Sequence, residues 1–289
     1  MTGLETHNLP NAGTAGDPPR AARWLRLSIG AAALAMVGNV IALAVPDIYA
    51  GLTPAFLPQA LAQDLADLAV ISPLWIVLAA LALHGSLRAY LLWLGVLAFT
   101  VYNYVIYAFS IPFGPLFLPW VAVFGSSLYS LIGGIASLDH EVVKSSFSGR
   151  RASSVVAWAL IVTAILFGLL WLSEDLPALM SGTRPRSLID MALPTNPVHV
   201  LDLGFFLPAV IAAGVLLLKG RPLAFTLAPA FLLFLILTGL PILLTPAVQT
   251  ARGEVAAWGV TAPIGSLAAV MIGLLAWLMS TMRSGVKMK

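Results

Sequence analysis

Eight long apolar stretches, separated by short segments that carry nearly all the charge, dominate this chain. They run over 24–45, 67–86, 88–110, 115–138, 153–173, 198–218, 222–244 and 259–281. A membrane-crossing helix needs about 20 mostly apolar residues, and each stretch supplies that length. The runs are continuous, not alternating, which excludes barrel strands. The pattern predicts an all-α polytopic integral membrane protein with eight transmembrane helices. Residues 1–23 are polar and rich in Gly, Pro and Asn, and read as a disordered cytoplasmic tail, with 284–289 as a second. Ala42-Leu43-Ala44 mimics a signal-cleavage site, but the long apolar run before it and Pro46 after it favour a retained anchor.

Composition agrees with this reading. Of 289 residues, 60% are hydrophobic and 9% charged, whereas soluble domains carry about 25% charged residues. A soluble enzyme, a disordered protein and a nucleic-acid binder are excluded. The absence of cysteine removes disulfides, thiolate metal sites and thiol catalysis. The position of the charges says more than their sum. With a cytoplasmic N-terminus, 12 of the 15 Lys and Arg fall on the inner side and 8 of the 12 acids on the outer, giving +8 inside and −5 outside. Lys and Arg set orientation in this direction. Both termini are therefore expected in the cytoplasm, with a bacterial inner (plasma) membrane as the location and the lipid bilayer as the surrounding partner.

A shift of 135 residues aligns two segments without gaps, with 8 identities over 61–90 against 196–225. Asp67-Leu68 falls on Asp202-Leu203, Pro73 on Pro208 and Gly85 on Gly220. Registration of this rare punctuation predicts a tandem duplication of a four-helix unit. The halves would be 24–145 and 152–283, joined by a cytoplasmic linker at 146–151. Four spans per half give both halves the same orientation, the parallel type of repeat.

Ionisable groups in the hydrocarbon are costly and mark function by default. Asp64 and Asp67 lie three residues apart at the expected mouth of the second span, His199 and Asp202 at that of the sixth. Spacing of three places each pair on one helix face. The third span adds Thr100, Asn103, Tyr104 and Tyr107 as one stripe, Asn39 lies at similar depth, and Glu174 and Asp175 end the fifth span. These residues predict an outward-facing polar pocket between the halves, binding a cation, an amine or a metal, with His199, Asp202 and Asp64 as the metal-capable groups. The plainer reading makes the acids helix caps, since carboxylates favour helix N-termini, and makes the third-span stripe a set of interhelical hydrogen bonds. Segments 46–66 and 174–197 read as outer loops with interfacial or re-entrant helices over the pocket mouth, and the eight Trp as an aromatic belt.

Other chemistry finds no support. No mid-membrane lysine offers a Schiff base, and His140-Glu141 has Lys144 where a zinc-protease motif needs its second His. No cofactor is predicted. The expected function is a small-solute or ion transporter or permease-like protein with Asp64, Asp67, Asn103, Tyr104, Tyr107, His199 and Asp202 at its ligand site. The alternatives are a scaffold, sensor or accessory subunit, with a membrane-protein partner or a second copy of the chain, and a membrane enzyme using His199 as general base.

Overall fold

A computed structural model describes residues 18–283; of the expected tail at 1–23, residues 1–17 lie outside the described residues, as do 284–289, whereas 18–23 are not disordered but form the start of the first helix. The described chain is helical, with eight helices long and apolar enough to cross a membrane. The first is α1 (Pro18–Ala44). The second is one continuous rod made of α2 (Leu57–Ala66), a π-helical turn (Asp67–Ile71) and α3 (Ser72–Leu83). Then come α4 (Leu87–Ser110), α5 (Phe117–Ala136), a short α6 (His140–Ser146) and α7 (Arg150–Ser181). A short α8 (Arg186–Met191) precedes the sixth span: α9 (Pro197–Leu201), a second π-helical turn (Asp202–Phe206) and α10 (Leu207–Leu218). The last spans are α11 (Pro222–Ala251) and α12 (Thr261–Ser280).

Three spans are longer than the hydropathy pattern suggests. The second begins at Leu57, not 67, the fifth runs on to Ser181, and the seventh to Ala251. Segment 57–66 is therefore neither an outer loop nor a re-entrant helix, because it continues straight into the span. Asp64 and Asp67 consequently sit well inside a helix and cap nothing; the residue at the N-cap is Phe56. The sixth span starts where the sequence places it, with the Asn196 side chain accepting from the amides of Val198 and His199.

The two π-turns have a common cause. Pro73 and Pro208 lack the N–H that would bond to the carbonyl four residues back, and their rings crowd that carbonyl. The helix accommodates by widening one turn: Ser72 N–H bonds to the Asp67 carbonyl and Leu207 N–H to the Asp202 carbonyl, each spanning five residues. Such turns recur at functional sites, and here each begins on an aspartate.

The first four spans pack as one bundle, with α1 against α5, α5 against α4, and α3 between α4 and α1. In the second group α7 packs on α10, α10 on α11 and α11 on α12. The groups meet along α4 and α11. α4 is the most buried span, and at Gly95 an added Cβ would stand 2.6 Å from the Ala230 carbonyl oxygen and 2.9 Å from Leu233. On one flank α2 lies along α11, whereas on the other α9 barely touches α4. An apolar groove of about 290 Å³ is left there, lined by Leu94, Ala98, Leu131, Phe206, Ala230 and Phe231. Trp75 and Trp93 are buried inside the first bundle, away from any interfacial belt.

The bundle end at which α1 begins (the near end) is laced by backbone contacts. Arg88 donates to the Met282 carbonyl at 2.7 Å, and the amides of Ser148 and Arg283 donate to the carbonyls of Thr281 and Ser146. His140 Nδ1 meets Thr226 Oγ1 at 2.9 Å, fixing α6 to α11. Burial holds the His140 pKa below the ordinary histidine value, against an opposing pull from Asp139.

Two outcomes follow from these contacts. Gly95→Ala lowers unfolding free energy by about 1–3 kcal/mol, the usual cost of overpacking, while Gly38→Ala, with nothing within 4 Å, is neutral or stabilising; thermal or SDS unfolding reads both. His140 is held neutral, so its contribution is full above about pH 6.5 and is lost as the pH falls through its lowered value. Melts at descending pH give a smaller acid loss in His140→Gln than in wild type.

Candidate functional site

The polar residues singled out in the sequence gather at the other, far end of the molecule in two hydrogen-bonded groups. The first lies inside the first bundle. Asp64 is fully buried and Asp67 is 3% exposed. They stand seven and ten residues past the start of the span, about 10 and 15 Å along its axis at 1.5 Å per residue. Tyr49, from the loop after α1, donates its hydroxyl to Asp64 Oδ2 at 2.7 Å, and Tyr107 of α4 donates to Oδ1 at 2.7 Å. Asn103 Nδ2 donates to Asp67 Oδ2 at 2.8 Å, and Gln63 Nε2, one turn before it, donates to Oδ1 at 3.1 Å. All four carboxylate oxygens are thus met by neutral donors. Among the described residues no Lys or Arg pairs with either acid.

An aromatic shell holds this arrangement. Tyr104 stacks on Tyr107 at 5.5 Å, and Trp120 of α5 packs its ring edge-on to Tyr107 at 5.3 Å. Tyr104 also lies against Asn39 of α1. Tyr49 is 3% exposed and closes the group from the loop side. Burial, and then the facing Asp64 carboxylate, drive the Tyr49 pKa upward, so its phenol keeps its proton and remains a donor. Four helices and one loop therefore supply the group: α1, the second span, α4, α5 and residues 46–49.

The second group surrounds the sixth span. His199 is 5% and Asp202 8% exposed. Trp171 of α7 donates Nε1–H to Asp202 Oδ2 at 2.8 Å and stacks on the His199 ring at 4.6 Å. The Tyr102 hydroxyl of α4 also reaches Asp202. His199 Nδ1 lies 3.0 Å from both oxygens of Asp175, and its Nε2 lies 3.9 Å from Glu174. The Glu174 and Asp175 side chains are 33% and 25% exposed, so this group, unlike the first, reaches the surface. Around it the loop is tied by Ser187 N–H to Glu174 at 3.0 Å and by Arg184 to the Leu193 carbonyl. Arg186 faces Asp190 at 3.5 Å, away from these acids.

Asp64, Asp67, Asn103, Tyr104 and Tyr107 are thus together, and His199 and Asp202 are together elsewhere. No hydrogen bond joins the two groups among the described residues. They meet α4 on different faces, since Tyr102 and Asn103 are adjacent residues pointing about 100° apart on a helix with 3.6 residues per turn. Among the described residues no set of three or more His, Asp or Glu is gathered closely enough to hold a metal ion. On α1 the small residues Ala31, Ala35 and Ala42, at helical spacing, are buried. Thr100 bonds to the Val96 carbonyl of its own helix at 2.9 Å and takes no part in either group.

Sequence reasoning missed Tyr49, Gln63, Tyr102 and Trp171. Two of these had a signal. Gln63 precedes Asp67 by four residues, and Trp171 precedes Glu174 and Asp175 by three and four, spacings that share a helix face. Tyr49 and Tyr102 had none, because their partners are remote in sequence. Asn103→Leu removes one donor from a buried carboxylate and costs about 1–3 kcal/mol; Ser86→Ala, which removes only the cap of α4, costs about 1 kcal/mol. A smaller loss in Asn103→Leu than in Ser86→Ala, read by unfolding titrations, would contradict this assignment.

Comparison of the chain with protein-family models, curated proteins and solved structures returns no match.

Proposed function

We propose that this chain is a transporter or permease-like membrane protein for a small solute or ion, with Asp64 and Asp67 at its ion site. One observation carries the reading. Two carboxylates are buried within a membrane-spanning helix, held by phenols and amides and, among the described residues, by no cationic side chain. Burying such groups costs several kcal/mol each even after relaxation. A bundle that needed only packing gains more from apolar residues, so ionisable groups at this depth point to an ion or proton pathway. On this reading the far end faces outward, and the exposed edges of Glu174 and Asp175 give the second group access to the outer solution. The surrounding membrane is the bacterial inner membrane, with both termini cytoplasmic.

A tandem duplication belongs to the same proposal, and the 135-residue offset supports it in three dimensions. The π-turns at 67–71 and 202–206 stand 135 apart, as do the left-handed glycines Gly85 (φ 91°) and Gly220 (φ 63°) that end each span. Gly95 touches Ala230, its own counterpart at this offset. Residues on a two-fold axis meet their own copies, so α4 and α11 would cross on the pseudo-axis relating the halves.

A second reading has its own observation. His199 is oriented by Asp175 at Nδ1, the arrangement of a general base held by a carboxylate, and a membrane enzyme acting from that group is the alternative. Currents on solid-supported membranes separate the two after jumps of sodium, potassium or pH. Transport predicts a current that is lost in Asp67→Asn and Asp64→Asn and kept in His199→Ala. No current under any jump, with all variants folded, would sink the transport reading in favour of the scaffold or the enzyme. The native chain has no cysteine, so orientation is directly testable. An impermeant maleimide added to intact cells should label Thr183→Cys and spare Ser145→Cys.

A further inference from the structure

We propose that the ion handled at Asp64 and Asp67 is the proton, and that it travels along the axis of the first bundle on water held by Asn39, Trp75, Ser127 and Ser130. This rests on the transport reading above and names its ion. Four buried polar atoms inside the first bundle have no partner among the described residues: Asn39 Nδ2, Trp75 Nε1, Ser127 Oγ and Ser130 Oγ. Native interiors rarely leave such groups unmatched, and water commonly completes them. Their residues are 1%, 1%, 0% and 0% exposed, so bulk solvent cannot serve them.

Helix geometry puts these atoms in file. On α5 the buried residues Trp120, Val123, Ser127, Ser130 and Gly134 follow alternating steps of three and four, which is one stripe along the helix. One end of that stripe touches the acid group, where Trp120 packs on Tyr107. The other end touches Trp93, whose ring stands 2.7 Å from where a Cβ on Gly134 would lie. Ser127 and Ser130 fall between these two points. Across from them, α1 presents Asn39, Ala35, Ala32 and Ser28 as a second buried stripe. The extra residue of the π-turn keeps Trp75 on the buried face of its span, eight residues after Asp67. Ser28, which accepts Trp93 Nε1–H at 2.9 Å, continues the line toward the near end.

The donor chemistry selects water and the proton over a metal cation. The free atoms on Asn39 and Trp75 are N–H donors, which need an acceptor such as a water oxygen and repel a bare cation. Every oxygen of Asp64 and Asp67 is already faced by an O–H or N–H, so unless these donors move, a metal ion is left only the second lone pair of each oxygen, beside a hydrogen that repels it. A proton needs no such rearrangement. Each hop breaks one O–H bond as the next forms, and the last places the proton on a carboxylate oxygen. One proton and one positive charge move, and nothing is oxidised.

Radiolytic hydroxyl labelling of the purified full chain in lipid nanodiscs tests the water directly, because buried side chains beside bound water are oxidised and dry ones are spared. Trp75 should be labelled several-fold faster than Trp93, which is equally buried but partnered. Equal labelling overturns the water file and leaves the transport reading standing. In vesicles with a trapped pH dye and an imposed potential, proton entry should slow several-fold in Ser127→Val and Ser130→Val. Ser→Ala at the same positions, which spares the space for water, is the check should the larger variants fail to fold. A current carried by sodium or potassium and indifferent to pH overturns the proposal while sustaining transport. Rapid Trp75 labelling without proton entry overturns the path.

Discussion

The lipid around a membrane-spanning bundle offers no water to a polar group, and the whole molecule is organised by that constraint. It explains why the described chain is helical, since a helix bonds its own backbone. It also explains why the buried acids within the spans draw neutral donors from several elements. Asp64 and Asp67 recruit donors from the rod that carries them, from α4 and from the loop after α1. Asp202 recruits from α7 and α4. Each acid thus binds together elements distant in sequence, and the specificity of the helix packing at the far end follows from the need to match these donors and acceptors. At the near end, backbone contacts around Phe147, Ser148 and Met282 perform the equivalent task.

The class of fold and the existence of all eight spans were legible from hydropathy alone, because continuous apolar runs of this length have no other stable use. Span lengths were less legible. Hydropathy treats Asp64 and Asp67 as signs of water, so it starts the second span only at Asp67 and leaves Asp64 outside, whereas the helix begins at Leu57 and runs through both because Tyr49, Tyr107, Asn103 and Gln63 take over the role of solvent. Composition cannot anticipate that substitution, since it depends on partners far along the chain. The π-turns were legible only in part. Pro73 and Pro208 announce a disturbed backbone, but whether the helix kinks or widens is settled by packing.

The candidate site was similarly half visible. Spacing brought Asn103, Tyr104 and Tyr107 to one stripe and joined Asp64 to Asp67, and the structure unites these five. It separates His199 and Asp202 from them, since facing directions around α4 depend on which helix lies on each side. Tyr102 and Asn103 make the point: neighbours in sequence, they serve different carboxylates. A sequence stripe fixes which residues share a face, while the identity of the opposite face is a tertiary fact.

The two groups also differ in a way that bears on mechanism. If the halves descend from one four-helix unit, Asp67 and Asp202 occupy equivalent places, yet one is sealed by Tyr49 and four helices and the other lies beside exposed Glu174 and Asp175. The inter-half contacts are unequal in the same sense. α2 packs along α11, while the corresponding flank between α9 and α4 is loose and leaves the apolar groove beside Phe206. α9 supplies 5 residues where α2 supplies 10, so less helix is available to close that flank. The side chains differ as well, with Phe206 standing 135 residues after Ile71. Phe206 stacks on Phe234 at 4.8 Å and meets Tyr102 at 5.0 Å, so an aromatic cluster ties the second π-turn to α11 and α4.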